Sequence, residues 1–114
     1  MGEGEVYLMY INEESAYKIG VSKNSKKRIK QLQTGCPYMI ELRSVFKSKY
    51  SYKVEKVLHR RYASYKLDSE EIKMYGEWYA LGFRTNEMFQ LECRTIEENI
   101  DFLFEAGNNF ISNR

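Results

Sequence analysis

The feature that most constrains the fold is a pair of short apolar segments near the start of the chain, separated by only four polar residues. Residues 6–11 and 16–21 are rich in β-branched and aromatic side chains, which favour strands. The sequence Asn-Glu-Glu-Ser between them is typical of a turn. Two strands joined by so short a link predict an antiparallel hairpin.

A helix and a third strand are predicted after the hairpin. Residues 26–33 follow candidate N-cap side chains, and Ile29 and Leu32 would face inward from this helix. Gly35, with a proline shortly after it, predicts the end of the helix. Residues 40–47 alternate between apolar and polar side chains, which predicts a strand. One face of that strand would carry Ile40, Leu42, Ser44 and Phe46.

Two apolar stripes at helical spacing complete the layout. Residues 52–65, with Ser51 as a candidate cap, carry the stripe Val54, Val57, Leu58, Tyr62 and Tyr65. Residues 86–105 carry the stripe Phe89, Cys93, Ile96, Ile100 and Leu103. Between them, residues 75–79 predict a turn and a brief extended segment. The order β-β-α-β-α-turn-α therefore predicts an α+β fold with a small three-stranded, mainly antiparallel sheet flanked by helices.

Length and composition fit one domain, because 114 residues without a repeat or a linker can build one core. We expect this domain over residues 1–106, with a C-terminal helix at about residues 86–105 and a flexible tail at 107–114. No apolar run approaches the roughly 18 residues that span a bilayer, and no signal peptide is expected. Cys36 and Cys93 are expected to be reduced thiols of a cytoplasmic protein, and their spacing does not fit a structural zinc site.

Charge is distributed unevenly along the chain. Residues 1–66 contain 14 Lys and Arg against 6 Asp and Glu, a balance of +8. Residues 67–114 contain 4 against 10, a balance of −6. This asymmetry predicts a basic surface that binds a polyanion. The alternative is a solvated lysine-rich surface with an acidic helix elsewhere.

Five short motifs follow one another in this layout. They are a tyrosine-bearing strand at Tyr7, Lys-Ile-Gly from Lys18, an arginine helix at Arg28, Glu-x-x-Leu-His from Glu55, and Gly-Glu-Trp at 76–78. In this order the chain resembles the GIY-YIG nuclease superfamily, and more closely its short phage and bacterial branch. The resemblance covers residues 6–81. It implies a metal-dependent endonuclease that hydrolyses DNA phosphodiester bonds with one Mg²⁺ or Mn²⁺. Such a protein would be encoded by a bacterium or by a phage and would act in the bacterial cytoplasm.

Two positions depart from the motifs that name the superfamily. The first motif reads Glu5-Val6-Tyr7 instead of Gly-Ile-Tyr, although its tyrosine is kept. The second has Lys18 where the superfamily has tyrosine, and Tyr17 lies one position earlier. Neighbouring side chains of a strand face opposite sides, so Tyr17 cannot replace residue 18 without a bulge. Because the resembling branch commonly carries lysine here, we interpret Lys18 as the functional equivalent.

The resemblance implies a catalytic role for Tyr7, Lys18, Arg28, Glu55 and His59. Glu55 would be the sole protein ligand of the divalent ion, with water and substrate phosphate as the other ligands. Arg28 would grip phosphate oxygens and balance transition-state charge. Tyr7 would orient or deprotonate the attacking water, and a nearby Lys18 ammonium would favour its phenolate form.

Several of these residues have alternative interpretations. His59, four residues after Glu55 on one helix face, could be a general base, a phosphate contact or a hydrogen-bonded histidine at the core edge. Glu55 could be a solvated carboxylate paired with Lys56 or His59. Tyr7 could be an ordinary aromatic residue of a sheet. Glu77 is a second and weaker candidate for a metal ligand.

DNA is the expected partner, and no membrane is expected. The lysines that would hold its backbone are Lys23, Lys26, Lys27 and Lys30, unless they are merely solvated. Tyr38, Tyr50 and Tyr52 could stack on bases or simply pack. One alternative function is a non-catalytic nucleic-acid-binding module of the same fold, and another is a phage factor that engages a host protein through the acidic C-terminal helix.

Overall fold

Three strands form an open antiparallel sheet at the centre of the fold. The computed structural model describes residues 3–73 and 76–105, without the side chains of residues 71 and 73. The strands are β1 (Gly4–Ile11), β2 (Ala16–Ser22) and β3 (Ile40–Ser48), arranged in the order β2-β1-β3. β1 and β2 are neighbours in the sequence and pair antiparallel, which confirms the predicted hairpin.

In the described part of the chain, four helices surround the sheet: α1 (Ser25–Gln33), α2 (Ser51–Arg61), α3 (Glu70–Lys73) and α4 (Thr85–Glu98). A 3₁₀ turn at Ala63–Tyr65 follows α2, so the helix predicted for residues 52–65 ends four residues early. The helix predicted for residues 86–105 is interrupted at Asn99 and resumes over residues 100–105. The predicted α+β class and element order are confirmed, and the predicted tail at 107–114 lies outside the described residues.

Each face of the sheet has its own apolar core. Alternate residues of β1 point to opposite faces, so Tyr7, Met9 and Ile11 pack on one side with Ile72 and Trp78. The opposite core contains Val6, Leu8, Ile19 and Phe46 from the strands, Val54, Val57 and Leu58 from α2, and Phe89, Cys93 and Ile96 from α4. Because β1 is covered on both faces, its sequence reads as a nearly continuous apolar run.

A β-bulge divides β3 into two parts with different inward faces. Ser44 lies opposite Leu8 and Leu42 lies opposite Met9, so Arg43 has no partner in β1. The extra residue reverses the alternation, and Leu42 therefore packs with the Tyr7 core while Phe46 packs with the opposite core. The prediction that Ile40, Leu42, Ser44 and Phe46 share one face was wrong, because regular alternation cannot reveal a bulge.

The helix ends follow the predicted chemistry in part. At the start of α1, Asn24 is the N-cap, and its side chain accepts a hydrogen bond from the backbone N–H of Lys27 at 3.0 Å. Gly35 has a φ of 81°, the left-handed conformation that suits a glycine just beyond a helix. Ser51 is not the cap of α2, since Tyr50 holds that position without a side-chain hydrogen bond.

The free edge of β2 is closed by a returning segment and by α2. The backbone N–H of Tyr17 donates to the carbonyl of Tyr79 at 2.8 Å, and the N–H of Tyr79 donates back at 2.7 Å. Two residues along β2, the carbonyl of Ile19 accepts a hydrogen bond from Nε2 of His59 at 2.7 Å. The Lys-Ile-Gly and Glu-x-x-Leu-His motifs therefore meet at one edge of the sheet.

α4 is tied to the end of α2 by an acidic side chain. The Glu92 carboxylate accepts a hydrogen bond from the Tyr62 hydroxyl at 2.6 Å and pairs with the Arg61 guanidinium at 2.9 Å. Burial and this carboxylate raise the pKa of Tyr62. Within the described parts of the chain, no helix is both long enough and apolar enough to cross a membrane.

Candidate active site

The candidate site is an open depression at the edge of the sheet where β1, β2, α1 and α2 meet. Its volume is about 390 Å³. The side chains that line it include Tyr7, Lys18, Arg28, Glu55, His59 and Glu77, together with Gly20 and Gly76. All five predicted catalytic residues therefore reach one cavity, from four different elements.

The hairpin register places Tyr7 and Lys18 on the same face of the sheet. Tyr7 lies opposite Gly20, and Met9 lies opposite Lys18. Residues directly opposite one another in an antiparallel pair project to one face, and so do residues two apart in a strand. The geometry agrees with the expectation that these two side chains point to the same side.

Gly20 leaves space for the ring of Tyr7. A Cβ atom at residue 20 would overlap the Tyr7 hydroxyl and approach the ring carbon that carries it at 2.5 Å. The Lys-Ile-Gly motif therefore ends in glycine for a steric reason, because the Tyr7 phenol crosses directly over the backbone of the neighbouring strand at this residue. Tyr7 is only 3% exposed, so its ring has little freedom to move away.

The electrostatic environment of Tyr7 keeps it a neutral phenol near pH 7. Burial raises its pKa, and the nearby Arg28 guanidinium opposes this rise. The carboxylate of Glu55 lies close enough to raise the pKa further. The cation that acts on the phenol is therefore Arg28, whereas the sequence pointed to Lys18.

Lys18 is held between the Gly-Glu-Trp segment and the sheet. Its ammonium lies 5.7 Å from the centroid of the Trp78 ring, and Trp78 is buried. Gly76 has a φ of 102°, and a Cβ atom there would approach the Lys18 ammonium at 2.6 Å. Burial lowers the pKa of Lys18, and the neighbouring Arg28 guanidinium lowers it further.

The Glu55 carboxylate is half-buried at the wall of the depression. Among the residues that the structure describes, none forms a hydrogen bond or an ion pair with it. The alternative in which Glu55 pairs with Lys56 or His59 is therefore not the arrangement found. A partly buried carboxylate without a partner fits a cation ligand.

His59 and Glu77 are both engaged in contacts that hold the site together. Because the Ile19 carbonyl can only accept a hydrogen bond, Nε2 of His59 carries a proton and Nδ1 is the nitrogen left for other contacts. The Glu77 carboxylate accepts a hydrogen bond from the Lys66 ammonium at 3.1 Å, which lowers its pKa. Burial, with Glu77 beside it, raises the pKa of Tyr79 to about 12.

The contact between Glu77 and Lys66 distinguishes the two candidate metal ligands, Glu55 and Glu77. Glu77 lines the same depression as Glu55, but its carboxylate has a lysine partner. In the described part of the chain, His, Cys, Asp and Glu side chains form no group of three or more that could hold a metal. A divalent ion at this site would therefore be held by Glu55, with water and substrate oxygens as its other ligands.

Comparison with protein families gives a match over most of the chain. The model of the T5orf172 domain matches residues 4–104. The chain belongs to the T5orf172 domain family. The match includes every residue that lines the depression and both cores of the sheet. Neither the search of curated proteins nor the search of solved structures returned a significant match.

Sequence reasoning did not assign a role to Glu5, which positions α1 in this T5orf172 domain. Its carboxylate accepts a hydrogen bond from the backbone N–H of Ser25 at 2.7 Å. This bond, together with the nearby positive charges of Lys47 and Lys26, lowers the pKa of Glu5. Since Arg28 lies on the next turn of α1, Glu5 fixes the helix against the strand that carries Tyr7. The sequence feature that could have indicated this role is Glu5 itself, an acidic residue at the position where the Gly-Ile-Tyr motif has glycine.

We expect Glu5→Gln to destabilise the T5orf172 domain by about 1 kcal/mol at pH 7, because a neutral amide caps a helix less well than a carboxylate. The pKa of Glu5 is lowered from 4.5 on folding, so its contribution is complete above pH 4.5 and is lost as the pH falls through the folded-state pKa. Melting temperatures of wild type and variant should therefore converge on acidification. Glu13→Gln, in the exposed turn, is the matched control. A constant difference at all pH values would contradict this role.

The predicted nucleic-acid-binding lysines lie beside the site. Lys23, Lys26, Lys27 and Lys30 are all exposed, on α1 and on the loop before it. Of the tyrosines considered for base stacking, Tyr38 and Tyr50 are half-buried and pack against the cores, whereas Tyr52 is 59% exposed. Arg28 thus lies between an exposed lysine cluster and the depression.

Proposed function

We propose that this T5orf172 domain is a metal-dependent endonuclease of the GIY-YIG type that hydrolyses DNA phosphodiester bonds. The observation that carries the proposal is the meeting of a phenol, two cations, an imidazole and a carboxylate in one open depression, where no described residue forms a hydrogen bond or ion pair with that carboxylate. T5orf172 domains occur in phage proteins and are associated with folds like that of GIY-YIG nucleases. Phosphodiester hydrolysis depends mainly on positioning and on electrostatic stabilisation, which such a set of groups can supply.

Arg28 is proposed to bind the scissile phosphate. Its guanidinium is exposed at the rim of the depression and can present two parallel N–H groups to phosphate oxygens. Lys18 is fixed deeper in the same depression by Trp78 and contributes a second positive charge. Together they balance the negative charge that builds up on the phosphoryl oxygens during attack.

Tyr7 is proposed to orient the attacking water. Its hydroxyl lies beside the Arg28 guanidinium and keeps its own proton near pH 7, so it can donate to the water while remaining fixed by Gly20 and the strand. His59, with Nε2 committed to the Ile19 carbonyl, holds α2 against β2 and so positions Glu55 one helical turn away. His59 is in this respect a positioning residue.

Glu55 is proposed to hold one Mg²⁺ or Mn²⁺. When bound, the ion supplies positive charge beside the phosphate and the leaving 3′ oxygen. The carboxylate fits this role because it is half-buried and lacks a partner among the described residues. Because Glu77 forms an ion pair with Lys66, we assign it a structural role at the same site.

The experiment that tests the proposal is cleavage of supercoiled plasmid DNA. We expect nicking and linearisation with Mg²⁺ or Mn²⁺, none with EDTA, and at least about a 100-fold slower reaction for Glu55→Gln. Glu14→Gln, an exposed carboxylate in the β1–β2 turn, should cleave like wild type. Salt-dependent DNA binding without any cleavage, unchanged by Glu55→Gln, would instead identify a non-catalytic nucleic-acid-binding module.

A further inference from the structure

The exposed side of α2 combines aromatic rings and cations. The Lys56 ammonium lies 5.2 Å from the ring centroid of Tyr52, whose side chain is 59% exposed. Lys53 and Arg60 lie 5.3 Å and 5.1 Å from the ring centroid of Phe104. We call these five residues the α2 surface.

The α2 surface begins at the wall of the candidate active site. Tyr52 precedes Glu55 by three residues, which places the two side chains on one helix face with Cβ atoms about 5–6 Å apart. Lys56, four residues after Tyr52, continues the surface away from the depression. Lys53 and Arg60 lie further around the helix. A strand whose phosphate occupies the depression would therefore reach the ring of Tyr52 within about one nucleotide.

The two basic regions beside the site differ in their chemistry. α1 has the sequence Ser-Lys-Lys-Arg-Ile-Lys-Gln-Leu-Gln and carries no aromatic residue, so its lysines can only neutralise phosphates. The α2 surface has both cations for phosphates and an exposed ring for a base. That combination is the one that proteins use to bind single strands, because the base faces of a duplex are already stacked on each other.

The cations of the α2 surface are held in place before any ligand binds. The ring of Phe104 lies beside both Lys53 and Arg60, and the Arg60 guanidinium also donates to the Phe104 carbonyl at 3.3 Å. Side chains that are already ordered lose less conformational entropy when they meet a phosphate. Phe104 therefore acts here as a support for two positive charges. Tyr52 is the ring left to contact a base, because it is 59% exposed although Lys56 lies over it.

We propose that the α2 surface binds a single-stranded segment of DNA next to the scissile phosphate, with an unpaired base stacked on Tyr52 and phosphates beside Lys53, Lys56 and Arg60. The inference rests on the proposed function in taking DNA as the substrate, and it names the substrate class. The substrate is DNA that is unpaired on the α2 side of the cleavage point, such as a flap, a bubble or a frayed end. On the α1 side, the lysines accept a backbone whether it is paired or not.

The test is equilibrium binding of labelled oligonucleotides in EDTA, where cleavage does not interfere. We expect Tyr52→Ala to bind a single strand about tenfold more weakly than wild type, and Tyr52→Trp to restore the affinity. Neither change should affect binding of an abasic strand or of a blunt duplex. Tyr65→Ala is the matched control, because Tyr65 is 54% exposed but packs beside Tyr62 in the 3₁₀ turn. Equal losses for the two alanine variants, or an equal loss on the abasic strand, would overturn the proposal.

The cations are tested by the salt dependence of the same binding. Replacing Lys53 and Arg60 with glutamine should reduce the slope of log affinity against log salt by about 0.7 for each phosphate contact that is lost. Tyr52→Ala should leave the slope unchanged, because a stacked base releases no counterion. An unchanged slope in the Lys53 and Arg60 variants would overturn the assignment of phosphates to this surface.

The outcomes separate this inference from the proposed function. Single-strand binding that depends on Tyr52, without cleavage in Mg²⁺ or Mn²⁺, would refute the nuclease and leave the α2 surface in place. If the wild-type protein cleaves plasmid DNA but Tyr52→Ala binds single strands as tightly as wild type, the nuclease is supported and the role of the α2 surface is refuted. Tighter binding of an RNA strand of the same sequence would overturn the assignment to DNA.

Discussion

Gly20→Ala is expected to reduce both the stability of the fold and its activity. The added methyl group would overlap the Tyr7 hydroxyl and press on the ring, and this ring is buried. Overpacking of this kind costs about 1–3 kcal/mol of unfolding free energy. Because relief requires the phenol to leave its position over β2, the remaining folded protein should also cleave DNA at least about 100-fold more slowly.

The measurement is urea unfolding together with single-turnover cleavage at a temperature where both proteins are folded. Gly82→Ala is the control, because a Cβ atom there meets no atom within 4 Å and its φ is not in the left-handed region. That variant should retain wild-type stability and rate. If Gly20→Ala unfolds at the same urea concentration as Gly82→Ala, the close contact between Tyr7 and residue 20 is not real.

Arg28→Ala is expected to reduce cleavage by about 10²–10³-fold, the usual effect of removing one donor that stabilises transition-state charge. Stability should hardly change, because the side chain is exposed and its contacts are the Tyr7 hydroxyl and Gln31. Arg28→Lys should recover little activity, since an ammonium cannot present two parallel N–H groups to a phosphate. The loss should appear in the rate at saturating DNA as well as in affinity.

Arg94→Ala, an exposed arginine of α4, is the matched control for charge and should cleave at the wild-type rate. Thermal unfolding of both variants checks that the fold is kept. A substantial loss of melting temperature in Arg28→Ala, with cleavage reduced only in proportion to the unfolded fraction, would assign Arg28 to structure.

The part of the site that lies in the hairpin could be predicted from the sequence. A turn of four residues leaves little choice of register, so Tyr7 must lie near Gly20 and on the same face as Lys18. Local chemistry also predicted the Gly35 position and the apolar stripes of the helices, except that Tyr65 was wrongly placed in the stripe of α2 and is 54% exposed in the 3₁₀ turn. These features depend on residues close together in the chain, whose geometry local patterns determine.

The contacts between distant elements could not be predicted in this way. The partners of His59 and Glu77, namely the Ile19 carbonyl and Lys66, depend on how α2 and the later segment pack on the edge of β2. The placement of Arg28 and Glu55 beside Tyr7 was expected only through the family resemblance. The bulge at Arg43 and the short helix α3 were missed, because an extra residue and a four-residue helix leave almost no periodic signal.

Joint action of Arg28 and Glu55 on one phosphate is tested most directly by the single-turnover cleavage rate of four proteins: wild type, Arg28→Ala, Glu55→Gln and the double variant. If both residues act on one phosphate in one depression, each single variant should lose most of the activity. The double variant should then be little slower than the slower single variant, because residues that act as a unit are not additive. A wild-type rate in either single variant would show that the two residues do not act together in phosphodiester cleavage.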